Sequence, residues 1–139
     1  MSDEQDVTAI IQSVGVGALG EKMGIDITEA RRGLVRGSMP VEGNTQPYGL
    51  LHGGASAVLA ETLGSFAAGI HAGWDAVVVG IDLNVTHHRS ARSGLVHGTA
   101  TAITEGKTLA CYDIRIVDDE GGPICSGRLT CLIRPARTA

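Results

Sequence analysis

From Gly53 to Ile70 the chain carries one charged residue, Glu61. Around it stand Val58, Leu59, Ala60, Leu63, Phe66 and Ala67, so a helix here is apolar nearly all round rather than along one stripe. Such a helix has to be covered on most of its sides. The stretch is long enough to raise the question of a membrane span. Its central carboxylate, its glycines and its Ala-rich makeup point instead to a core helix. Burying a lone carboxylate is costly, and desolvation pushes its pKa upward. That is the condition in which a carboxylate serves acid–base or nucleophilic chemistry.

The flanking sequence predicts what covers this helix. Val7 to about Val14 reads as a short helix. Met23, Ile25 and Ile27 alternate, and so, more weakly, do residues 34 to 41; with Arg31-Arg32-Gly33 between them they read as a hairpin. Residues 42 to 49 form a loop, and the long helix runs on to about His71. The period then changes to two. Val77, Val79, Ile81, Leu83 and Val85 share one face, with Asp82, Asn84 and Thr86 on the other. Leu95 to Ile103 is a further strand. Ala110, Tyr112, Ile114 and Ile116 mark the next, and Asp118-Asp119-Glu120-Gly121-Gly122 is a turn signal. Ile124 to Ile133 closes the set, with Cys125, Leu129, Cys131 and Ile133 on one face. The expectation is an α+β chain: two strands, the helix, then four strands in a meander, giving one antiparallel sheet of about six strands curled around one long helix. One sheet covers one side of that helix, so a partner subunit is expected on the rest.

At 139 residues a single domain spanning residues 1–139 is expected. A net charge of −4 and a pI near 5.6 argue against a nucleic-acid or anionic-membrane partner. The few aromatics (Tyr48, Phe66, Trp74 and Tyr112) offer no platform for base stacking. Cys111, Cys125 and Cys131 are an odd set without CxxC spacing, read as free thiols of a cytoplasmic protein. The acidic, polar start is not that of a signal peptide. His87 and His88 are adjacent on a strand and point to opposite faces, a poor metal pair, so no metal is expected. No dinucleotide, Walker or Ser-nucleophile motif is found.

Leu50-Leu51-His52-Gly53-Gly54 opens the long helix with a His and bare backbone N–H groups at its positive end. His52 and Glu61 are nine residues apart, which on an ideal helix is about 13.5 Å of rise and about 900° of rotation. They face opposite ways and cannot meet within one chain. Glu61 and Ser65, at i and i+4, share a face and can hydrogen-bond. If His52 and Glu61 serve one reaction, the site is built by two chains whose helices run antiparallel across a two-fold axis. Each of these residues alone has a plain structural reading: a cap for His52, a packing residue for Ser65, helix-entry glycines for Gly53 and Gly54. Together each has a distinct job in one acyl transfer.

Gln46-Pro47-Tyr48-Gly49-Leu50-Leu51-His52-Gly53-Gly54-Ala55, followed by Glu61 and Ser65, resembles the active-site signature of hotdog-fold acyl-CoA thioesterases. The branch is the one with the catalytic Glu on the central helix, typified by the Arthrobacter-type 4-hydroxybenzoyl-CoA thioesterase. Asn84-Val85-Thr86-His87-His88-Arg89 is similar to a stretch in the group that holds 1,4-dihydroxy-2-naphthoyl-CoA hydrolase and the enterobactin proofreading thioesterase. The likeness runs from about Val14 to Arg134.

The resemblance implies roles. Gln46 hydrogen-bonds the thioester carbonyl, and the Gly53 N–H stabilises the oxyanion. His52 orients the acyl end. Glu61 of the other chain attacks the carbonyl or activates water, and Ser65 holds Glu61 or the water. His88, Arg89 and Arg92, the Gly106-Lys107-Thr108 turn and Arg134 are candidates for the CoA phosphates. No cofactor is implied, because CoA is part of the substrate. The assembly expected is a homodimer or a homotetramer. Two other readings compete: a non-catalytic acyl-CoA binding protein and a hotdog dehydratase or hydratase. The intact Gln46, His52, Glu61 and Ser65 set disfavours the first, and the missing Asp/His arrangement the second. Aromatic acyl groups lead; medium-chain fatty acyl groups and carrier-protein thioesters stay open.

Overall fold

The computed structural model describes residues 5–137. Two short helices, α1 (Thr8–Val14) and α2 (Gly17–Met23), come first. The second replaces the expected start of the first strand. Gly24, in the left-handed region at φ 76°, ends α2, so strand β1 begins only at Asp26 (Asp26–Arg31). It forms the predicted hairpin with β2 (Leu34–Pro40). Helix α3 (Gly53–Ala72) follows, then β3 (Ala76–His87), β4 (Leu95–Glu105), β5 (Leu109–Asp118) and β6 (Pro123–Pro135).

All six strands make one antiparallel sheet in the order β1-β2-β4-β5-β6-β3. This corrects the four-strand meander. Only β4, β5 and β6 follow one another; β3 pairs with β6 along its whole length and forms an edge. The chain enters the sheet at one edge, drops α3 onto its face, and returns at the opposite edge before filling the middle.

The face assigned to β3 also changes partway. The pairing shifts register between Gly80 and Asp82. A bulge adds one residue and inverts the alternation beyond it. Leu83 and Val85 therefore pack on the core together with Val78, while Val77, Val79 and Ile81 are exposed. Period-two reasoning carried across a bulge assigns half the strand to the wrong side.

Helix α3 lies against the sheet through Leu59, Leu63, Ala67 and Ala68, all fully buried. Two glycines set how close it comes. Gly37 and Gly98 are direct cross-strand partners on β2 and β4. A Cβ on either would stand 2.8 Å or 2.6 Å from a methyl of Leu63. Their bare backbone is the hollow into which Leu63 fits. Gly64 does the same for Leu129 on β6, where an added Cβ would meet a Leu129 methyl at 2.5 Å. Small residues on helix and sheet thus bring the backbones together and bury Leu side chains worth about 1.5–3 kcal/mol each. No helix among the described residues is long and apolar enough to cross a membrane.

Candidate active site

The loop before α3 is folded by its own polar groups. Gln46 N–H donates to the Leu50 carbonyl (2.8 Å), and Gly49 N–H donates to the Gln46 carbonyl (2.9 Å). The Gln46 side-chain Oε1 accepts from Tyr48 N–H (2.5 Å) and from Leu50 N–H (3.3 Å). Its oxygen is thereby committed to the loop, and the Nε2 amide, a pure donor, is left as its free end among the described residues.

His52 is the N-cap of α3, with its Nδ1 accepting from Gly54 N–H at 2.8 Å. Nδ1 must be unprotonated to accept, so the ring's free donor is Nε2–H. Gly53 supplies the first N–H of the helix, and no group among the described residues accepts it. A Cβ on Gly53 would come within 2.7 Å of His87 Nε2, so the His87 imidazole lies directly over this helix start. Gln46, Gly53, Ser56, His87, His88 and Arg89 line one cavity of about 320 Å³. Reading the sequence did not assign His87 to the site. The signal for it was the alternation beyond the bulge: Leu83, Val85 and His87 are successive members of the helix-facing row.

Glu61 and Ser65 stand on the wall of a different cavity, of about 550 Å³, with Val58, Thr62, Phe66 and Leu83. The expected burial of Glu61 is not supplied by its own chain: the side chain is solvent-exposed. Its carboxyl rests on bare backbone, since a Cβ on Gly80 would be 3.4 Å from Glu61 Cδ. Ser65 lies on the same wall as Glu61, and the two make no hydrogen bond with each other. The Ser65 hydroxyl meets Cys131 instead. The Cys131 thiol is pushed up to about 11, by burial first and then by the negative charge of Glu61, with the Ser65 hydrogen bond opposing.

The basic residues divide between the two ends of α3. His88 and Arg89 lie beside Gln46 and Gly53, with Arg92 exposed on the loop from β3 to β4. Arg89 reaches back over the turn between β5 and β6, 4.0 Å from the Asp118 carboxylate. Gly106, Lys107 and Thr108 form the turn between β4 and β5 at the other end, where His71 Nε2–H donates to the Gly106 carbonyl (2.7 Å). Thr108 accepts from Ile133 N–H, next to Arg134 on β6. A 20-residue helix separates the two groups, about 30 Å of rise. Among the described residues no group of three or more His, Cys, Asp or Glu is placed to hold a metal ion.

Residues 48–125 match the model of a family described as the thioesterase superfamily. The chain belongs to this superfamily. It is an enzyme of the thioester hydrolase class, on the hotdog fold that a six-stranded antiparallel sheet around one long helix describes. It is 40% identical over 124 residues to a proofreading thioesterase, EntH, from Cronobacter turicensis, covering 88% of this chain and 90% of that one. It is 43% identical over 114 residues to a 1,4-dihydroxy-2-naphthoyl-CoA hydrolase from Escherichia coli, covering 81% and 79%. A solved thioesterase structure from Haemophilus influenzae superposes with a TM-score of 0.88 at 32% identity, over 96% of this chain and 94% of that one. The family assigned from the residues and the fold expected from it are both borne out.

Proposed function

We propose that this thioesterase hydrolyses acyl-CoA, with an aromatic or other bulky apolar acyl group, in sites built by two copies of the chain. The observation that carries the proposal is the separation of the two half-sites. Carbonyl-polarising donors, the Gln46 amide and the Gly53 N–H, open into one cavity, and the only carboxylate on the apolar run of α3 opens into another. Antiparallel pairing of two α3 helices sets His52 of each against Glu61 of the other and supplies the cover that Glu61 lacks. The β3 edge supports such pairing. It is 12 residues long, unpaired on its outer side, and exposes Val77, Val79 and Ile81. Long apolar edges are template surfaces for another strand.

In this arrangement the thioester carbonyl accepts from Gln46 Nε2–H and Gly53 N–H, donors aimed before the charge develops. His52 Nε2–H bounds the acyl end. Glu61 of the second copy adds to the carbonyl carbon or takes a proton from water, with Ser65 holding the water. In the first case the CoA thiolate leaves and water then cleaves the acyl–Glu61 anhydride; in the second the water oxygen bonds to the carbonyl carbon as the C–S bond breaks, and in both the products are the free acid and CoA. His88, Arg89 and Arg92 receive the nucleotide phosphates at the mouth. Gly106, Lys107, Thr108 and Arg134 offer a second basic rim from another copy, in a dimer or a dimer of dimers. The three free thiols fit a reducing, cytoplasmic setting.

Mixing tests the shared site. Glu61→Ala and His52→Ala chains, each inactive alone, are unfolded, mixed and refolded. Statistical reassortment into two-fold dimers restores about a quarter of wild-type activity, because each mixed dimer regains one complete site. Mixed dimers that form and stay inactive defeat the shared site.

A further inference from the structure

We infer that the turn between β5 and β6 positions the loop that walls the cavity of Gln46 and Gly53: Asp118 aims Arg89 at the nucleotide, and Asp119 ties down the far end of the loop. The inference rests on the thioesterase reading above and adds two positioning residues to it.

The loop runs over residues 88–94, between β3 and β4, and carries Arg89 and Arg92. His88, Arg89 and Ser90 stand in the cavity wall beside Gln46 and Gly53. The loop also has its own tie to the start of α3. The Ala91 carbonyl accepts from Leu51 N–H at 2.8 Å, one residue before the N-cap His52, and Ala91 itself is buried. A displacement of this loop therefore reaches the backbone that leads into the Gly53 N–H.

Two successive carboxylates hold the two ends of the loop. Asp118 Oδ1 accepts from Glu120 N–H (2.9 Å) and Gly122 N–H (2.8 Å), which folds the turn. Its Oδ2 faces Arg89, whose Nη1 lies 4.0 Å away. Gly122 makes room for the guanidinium, since a Cβ there would collide with Arg89 Nη1. The arginine side chain is still more than half exposed, so other N–H donors of its fork are open to phosphate oxygens. An arginine held in place beforehand gives up less side-chain freedom on binding.

Asp119 takes the far end. Its Oδ1 accepts from His97 Nε2–H (2.7 Å) and its Oδ2 from Leu95 N–H (3.1 Å). The His97 bond first, and then the Leu95 bond, hold its carboxyl below the usual carboxylate range. Gly94 stands just before Leu95 at φ 73°, and a Cβ on it would collide with Asp119 Oδ2. A bare glycine thus clears the way for each carboxylate contact. The ladder between β5 and β6 ends at Val117 and Pro123, so the contacts to Arg89, Leu95 and His97 are no part of it.

Charge alone gives Asp118 the opposite sign, because a carboxylate beside a phosphate site repels the phosphate. The direction of the KM change therefore separates positioning from repulsion. The experiment takes whichever of benzoyl-, 1-naphthoyl- and octanoyl-CoA the wild type cleaves fastest, and measures kcat and KM for that ester and for its N-acetylcysteamine counterpart. Asp118→Asn keeps an acceptor for the turn and loses the charge that faces Arg89. It raises KM for the CoA ester about two- to fivefold, the scale of an exposed ion pair, with kcat held and the short thioester unaffected. In an Arg89→Ala background the same change does nothing further, because it acts through Arg89. Asp119→Ala lowers kcat on both esters by about tenfold, the cost of a looser oxyanion donor. Asp119→Asn, which keeps one of the two bonds, lowers it less. A KM that falls or holds in Asp118→Asn, a further effect of that change in the Arg89→Ala background, or an unaltered kcat in both Asp119 variants overturns the inference. Wild-type protein that cleaves none of the three CoA esters defeats the thioesterase reading beneath it.

Discussion

Gln46, His52 and Gly53 stand where neighbouring backbone fixes each of them, whereas Glu61 and Ser65, further along the same helix, stand on an open wall. The first group is held by an N-cap, a turn and two side chain–backbone bonds, all within a few residues. The second is carried by α3 with Gly80 and Cys131 behind it and solvent in front. Oxyanion donors have to be aimed before the reaction, and short loops with local hydrogen bonds aim them cheaply in entropy. A carboxylate gains its chemistry from surroundings that desolvate it, and such surroundings come from another surface. The contrast therefore predicts different failures for the two regions.

The largest effect belongs to the open wall. Glu61→Gln removes the basic oxygen and keeps the shape, so kcat falls by about 10²–10⁴-fold, the scale of a positioned acid–base group. Acyl-CoA binding survives, and the stability of the unassembled chain moves by no more than about 0.5 kcal/mol, because the residue is exposed there. Steady-state kinetics beside a denaturant melt reads both. Near-normal kcat at unchanged stability removes Glu61 from the mechanism.

His52 behaves otherwise, since it caps α3 and, in the proposed mechanism, also bounds the acyl end. Loss of its cap in His52→Ala costs about 0.5–2 kcal/mol together with activity. His52→Asn restores a capping acceptor, so stability returns while activity does not. If Asn rescues turnover as well, the imidazole is only a cap, and the contrast between the two regions narrows to Glu61 alone.

Arg89, at the mouth beside Gln46, is expected to bind rather than react. Arg89→Ala raises KM for acyl-CoA by roughly tenfold with kcat nearly unchanged, the signature of lost uniform binding. The same variant acts nearly normally on a thioester that lacks the nucleotide. An equal loss on both substrates moves Arg89 from the CoA site to the turn it packs on.

The smallest effect lies behind the open wall. The Cys131 thiol titrates near 11 in the folded chain, raised by burial and by Glu61. The native state thus holds its proton more tightly than the unfolded one. The stability this gives is complete below the unfolded value and is lost as pH rises from there through the folded value. Stability should decline between about pH 9 and pH 11, less so in Cys131→Ala. Iodoacetamide at pH 8 should label Cys131 only after unfolding; rapid labelling of native protein would place the thiol at the surface.

Much of this molecule is legible in local patterns. The cap at His52, the turn at Gly49, the glycine-ended helix and the alternation of β5 and β6 are short-range features, and each element follows from residues within it. The spacing of His52 and Glu61 is equally local, and already implies that no single chain joins them. Three things were decided only by tertiary structure. The placement of β3 beside β6 depends on pairing between segments far apart in sequence, which alternation alone does not rank. The bulge at Gly80 reverses the faces of β3, and one inserted residue leaves no mark where the run before it, Val77 to Ile81, is apolar on both sides. The exposure of Glu61 depends on which face of α3 the glycines Gly37, Gly98 and Gly64 draw onto the sheet. An all-apolar helix does not itself say which side goes inward; the hollows that receive Leu63 and Leu129 do.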